Sequence, residues 1–155
     1  MNYINRQKFI EALNQKINDY AYNSNLFNGG CCYSAYVLAK YLKKAGIKYK
    51  VVMFQYADIL NETDFNNAIN GRGVSHVAIE VTYKFKKIYI GPCDGIYSYF
   101  KQTGEKFNIK KYSGISPEEI LEGYRNNEWN WAYDTHCNGP LSRDIKRAYL
   151  KFAEM

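Results

Sequence analysis

The stretch NGGCCYSAYVLAKYLKKAGIKYKVV, residues 28–52, holds a helix and the strand that follows it. Ala35, Leu38, Ala39 and Leu42 recur at helical spacing and predict one apolar face on a helix from Cys31 to Ala45. Gly46 stands where a left-handed cap ends such a helix, and Lys43 and Lys44 suit the negative end of its dipole. The run Ile47–Tyr56 is rich in β-branched and aromatic residues and predicts a strand. A helix handed directly to a strand by one glycine is the first sign of a mixed architecture.

Working outward, Phe9, Ile10, Leu13, Ile17 and Tyr20 space as one face of an earlier amphipathic helix. An Asn- and Gly-rich loop, residues 23–30, joins the two. Downstream, Val74–Thr82 and Lys87–Ile90 read as strands separated by a lysine-rich turn. Ile96–Phe100 and Lys106–Tyr112 read as a further hairpin around Thr103-Gly104. Ser116-Pro117-Glu118-Glu119 is a capping box with proline at the first helical position, and Ser142 caps a last helix ending near Phe152. Helices, then strands, then helices predict an α+β fold, with a mainly antiparallel sheet packed against helices. At 155 residues, without repeats or a Pro/Gly/Ser-rich linker, residues 1–155 are expected to form one domain.

Composition narrows the function classes. Apolar residues make up 46% of the chain, enough for a true core, which excludes a disordered tail. The formal charge is +6, but the lysines are dispersed in pairs at 43–44, 86–87 and 110–111 rather than gathered in a stripe. That argues for solvated surface over a nucleic-acid interface and leaves a mild preference for anionic partners. No apolar run approaches the ~18 residues that cross a bilayer, so no membrane partner is expected. The first twenty residues lack the apolar core of a secretion signal. The expectation is therefore a cytoplasmic protein whose four cysteines are thiols.

Cys31 is the chemically distinctive residue. At the first turn of a helix, a sulfur faces unpaired backbone N–H groups and the positive dipole end, both of which favour thiolate. Gly29 and Gly30 let the backbone approach a substrate closely, and the same amides can hold an oxyanion. Taken alone, Cys31-Cys32 reads more simply as a pair of small core cysteines. His76 shifts the balance, because it lies on an apolar strand 45 residues later and an imidazole there can take the thiol proton. Asp94, 18 residues further on, can fix the imidazole tautomer. Its plain alternative is a turn residue before Gly95.

Residues 25–97 resemble the transglutaminase-like branch of the papain-like cysteine enzymes. In that family Gly-x-Cys opens a helix, alanine follows four residues after the cysteine, and Gly-Ile fifteen and sixteen after it. Gly29, Cys31, Ala35, Gly46 and Ile47 fill those places, and His76-Val77-Ala78-Ile79-Glu80 is similar to the family's histidine strand. The resemblance implies a papain-like core with the cysteine helix on an antiparallel sheet. It also implies a Cys31–His76–Asp94 triad and acyl transfer without a cofactor. The chain departs from the pattern where the family sets its aspartate directly before proline, since Gly91 precedes Pro92 here. Three spacings favour Cys31 as nucleophile, whereas the aromatic Tyr33 after Cys32 favours Cys32.

Backbone amides at the helix start, with Asn28 or Asn25, are the oxyanion candidates. The cluster WNWAYDTHCNGP, residues 129–140, offers Trp131 as a substrate contact alongside Trp129 and Tyr133, though it also reads as a packed loop. A rival pairing sets Cys31 with His136, oriented by Asp134 or Asn138. Zinc is disfavoured because adjacent cysteines chelate one ion poorly and the usual paired spacing is missing. Residues 57–73, directly before His76, suit either a lid over the cleft or a surface insertion without a role. The expected activity is peptidase, amidase or deamidase, or transglutaminase-like transfer, on a protein or peptide substrate. The competing expectation is an inactive papain-like domain that binds a partner or serves a structural role.

Overall fold

The computed structural model describes residues 1–24, 31–56, 75–91, 107–122 and 143–154. In chain order these form α1 (Tyr3–Ser24), α2 (Cys31–Lys44), β1 (Lys50–Tyr56), β2 (Ser75–Tyr83), β3 (Lys86–Ile90), β4 (Phe107–Ser113), α3 (Pro117–Glu122) and α4 (Arg143–Ala153). The strands make one antiparallel sheet in the order β3-β2-β1-β4. The α+β class and the antiparallel sheet therefore follow the expectation.

Local chemistry sets the element ends. Asn2 caps α1, its Oδ1 accepting from Asn5 N at 2.8 Å. At the end of α2, Gly46 takes φ +73°, Gly46 N donates to Lys43 O at 3.0 Å and Ile47 N donates to Leu42 O at 2.9 Å. This is a Schellman cap, and it delays the strand: β1 starts at Lys50 because Ile47 N is engaged by the helix. The capping box at α3 closes as expected, Ser116 N meeting Glu119 Oε2 at 3.0 Å and Glu119 N meeting Ser116 Oγ at 3.2 Å. Lys84 and Phe85 join β2 to β3 with φ 49° and 65°, the two left-handed residues of a tight hairpin turn. The exposed Phe85 ring stacks on Tyr3 at 5.3 Å.

The second helix is more central than its one-faced pattern predicts. Cys31 through Ala39 are all buried, including Tyr33, Ser34, Tyr36 and Val37. The helix is covered on several sides at once, by β2 and by α3, α4 and α1. Val51, Met53, Val77, Ile79, Val81 and Ile90 form the sheet side of this core. The opposite sheet face carries Val52 and Ala78 with Tyr89 against them, and a buried Glu80 paired to Lys111 at 2.6 Å. β4 pairs with β1; its predicted hairpin partner at 96–100 lies outside the described residues.

Tyr49 joins β1's approach to the start of α3, its hydroxyl donating to Ile115 O at 2.5 Å. Burial, then the carboxylates of Glu118 and Glu119, push this phenol up to about 12. The folded state thus holds the proton more tightly than the unfolded chain, where a tyrosine titrates near ~10. Stability from this source is intact below pH ~10 and lost as pH rises towards ~12. Tyr49→Phe is expected to flatten the fall in melting temperature across that window, read by circular dichroism. An unchanged alkaline slope would remove Tyr49 as its cause.

Candidate active site at the start of the central helix

Cys31 is the first residue of α2, 4% exposed, its sulfur outside any disulfide. Its carbonyl accepts from Ser34 Oγ at 3.0 Å, a bond within the first helical turn. Burial pushes the Tyr33 hydroxyl up, and charge on the Cys31 sulfur adds to the shift. The sulfur and the phenol therefore share one electrostatic neighbourhood. A thiolate at this position also stands at the positive end of the α2 dipole.

Cys32 corrects the expectation of four thiols, because it is disulfide-bonded. Its neighbour Cys31 is not in a disulfide. A sulfur held in a disulfide is neither a nucleophile nor an oxyanion donor, which leaves Cys31 as the available thiol of the pair. The local sequence gave no warning of this, since a disulfide depends on what the fold brings together and spacing alone does not reveal it.

The placement of β2 along α2 follows from two contacts. A Cβ added at Gly91 would meet Leu38 Cδ1 at 3.4 Å, and Gly91 follows Ile90, the partner of Ile79. Nearer the helix end, Lys43, Gly46 and Ile47 line one cavity with Val81 and Thr82. The helix therefore runs with its start towards low β2 numbers.

His76 is the second residue of β2 and stands opposite Phe54 of β1. Further along the strand, Val77, Ile79 and Val81 join the helix-side core while Ala78 belongs to the outer face. His76 is described by its backbone alone. Asp94, Asn25, Asn28 and Trp131 lie outside the described residues, as do His136, Asp134, Asn138 and the 57–73 segment. By register His76 falls with Ala78 and Glu80 rather than with the helix-side Val77, Ile79 and Val81, so the described residues do not bring His76 to Cys31. Among the described residues no group of three or more His, Cys, Asp or Glu side chains is arranged to hold a metal ion, and no helix is long and apolar enough to cross a membrane.

The Glu80–Lys111 pair was not singled out in the sequence as an ion pair. Its signal was a lone acid within an apolar strand, VSHVAIEVT, and a lysine pair in a later one. Glu80 is 4% exposed and holds the Lys111 ammonium above its usual range through their hydrogen bond. The pair sits on the sheet face away from α2 and plays a structural part, since a buried carboxylate needs a partner. No known protein family, curated protein or solved structure matches this chain.

Proposed function

We propose that this chain is a cysteine-nucleophile acyl-transfer enzyme with a papain-like, transglutaminase-like core. The observation that supports the reading is a cysteine outside any disulfide at the first residue of the central helix. Cys31 Sγ attacks the carbonyl carbon of an amide, and its proton passes to His76. The resulting oxyanion is held by backbone N–H groups at the helix start, with Asn28 or Asn25 beside them. His76 returns the proton to the leaving amine as the C–N bond breaks, leaving a thioester on Cys31. Water then releases an acid, or a second amine releases a new amide. Asp94 orients His76 in this scheme, and Trp131 contacts a protein or peptide substrate. No cofactor is required. Hydrolysis is favoured, because so small a domain offers little surface for a second protein substrate.

The near-complete burial of Cys31 is what favours the second reading, a catalytically inactive domain that binds a protein partner or serves a structural role. The Cys32 disulfide bears on location, since such bonds persist in oxidising compartments and are rare in the cytosol. It weighs against the cytoplasmic expectation.

The deciding experiment is the pH dependence of iodoacetamide alkylation, mapped by peptide mass spectrometry in the native protein and in His76→Ala. Cys31 is expected to react with a midpoint well below the ~8.5 of an ordinary thiol. His76→Ala is expected to move that midpoint back up, and Cys32 to stay unlabelled until reductant is added. Reaction of Cys31 only at ordinary thiol pH, or indifference to the histidine, would sink the catalytic reading and leave the binding domain.

A further inference from the structure

The cavity at the other end of α2 is independent of Cys31. It encloses about 570 Å³ between the C-terminal cap of the helix and the ends of β1, β2 and β4. That volume falls in the range of small-molecule sites. Four lysines, at 43, 48, 50 and 87, line it, and Lys43, Lys48 and Lys87 are exposed enough to move their ammonium groups over its mouth. The single carboxylate in the lining is Glu80, and its charge is already matched by Lys111 at 2.6 Å. The lysines therefore border a space whose one lining carboxylate is already paired. An anion placed there relieves their mutual repulsion and gains attraction from each. The walls between them are apolar, formed by Ile47, Val81 and the ring of Tyr49, together with the lysine stems.

We propose that this cavity binds a small organic molecule carrying phosphate groups, its uncharged body against Tyr49 and Val81 and its phosphates among Lys43, Lys48 and Lys87. Lysine suits this task as a compact, mobile point charge that does not demand the fixed planar geometry of arginine. The cavity's size and apolar wall favour a small molecule over a nucleic-acid backbone, which asks for an extended basic stripe.

The test is an amide NMR titration of the intact chain with ADP, with inorganic pyrophosphate and with a short DNA duplex as separate arms. ADP is expected to shift the amides of Gly46, Ser113 and Gly114 saturably, and more tightly than pyrophosphate. Lys48→Gln/Lys87→Gln, two exposed substitutions, is expected to weaken ADP at least about tenfold. Lys8→Gln/Lys151→Gln, which removes the same charge elsewhere, is expected to leave ADP binding unchanged. The proposal is overturned by any of three results: no saturable shift at millimolar ADP, equal weakening in both double variants, or tighter movement of the same amides by DNA. None of these results touches the reading of Cys31, which stands or falls by its alkylation.

Discussion

Cys31→Ala is expected to abolish the burst of p-nitrophenolate that the native chain releases from p-nitrophenyl acetate at neutral pH. An activated ester needs no recognition of the natural substrate, so the burst reports the nucleophile alone. The native chain is expected to release one equivalent quickly, as the acetyl group moves to sulfur, and then to turn over slowly. Removal of the nucleophile lowers the acylation rate by at least about a thousandfold, the scale found when a triad loses its attacking atom. His76→Ala slows the burst without erasing it at high pH, because a thiolate formed by bulk base still attacks. Losing one buried sulfur costs stability only about 1 kcal/mol, so the melting temperature moves a few degrees. A native chain with no burst, or a burst that survives Cys31→Ala, would end the case for this nucleophile.

Phe152→Ala carries the largest expected cost to the fold. Phe152 is 1% exposed near the end of α4, its ring 4.7 Å from Tyr20 of α1 and 6.1 Å from Tyr41 of α2. Lys16 lies over the same ring at 5.7 Å. Two hydroxyls pin the helix backbone beside it, Tyr20 donating to Ala148 O at 2.9 Å and Tyr41 to Phe152 O at 3.3 Å. Truncating the ring removes the wedge that all three helices share, a change worth about 3–5 kcal/mol in well-packed cores. For a chain of this size that lowers the melting temperature by about 10 °C or more. Phe152→Leu keeps most of the volume and is expected to lose less than half as much. Equal, small losses in both variants would show that α4 is not held by this ring.

These two residues also mark what the sequence could and could not reveal. Phe152 was legible only as the end of a helix; its partners Tyr20 and Tyr41 are more than a hundred residues away, and nothing in local pattern joins them. Cys31 was legible because a helix start announces itself by glycines before and periodic apolar residues after. The caps at Gly46 and Ser116 were legible for the same reason, since their hydrogen bonds close within a few residues. The hidden parts are those decided by distant packing. The burial of Tyr33, Ser34 and Tyr36 follows from helices covering α2 on sides that its own apolar stripe does not mark. The same holds for the Cys32 cross-link and the Glu80–Lys111 pair, each made by segments that meet only in the folded chain.

Among the described strands, β3 and β4 stand on the two outer margins of the sheet, and each carries adjacent lysines, Lys86-Lys87 on one and Lys110-Lys111 on the other. Outer strands are where two copies of a protein can zip together through their backbones. The β3 margin brings a doublet of positive charge to a like margin that approaches it, whereas on β4 the charge of Lys111 is met by Glu80. Charge at such a margin disfavours edge-to-edge pairing of like copies, an effect strongest in dilute salt, where screening is least.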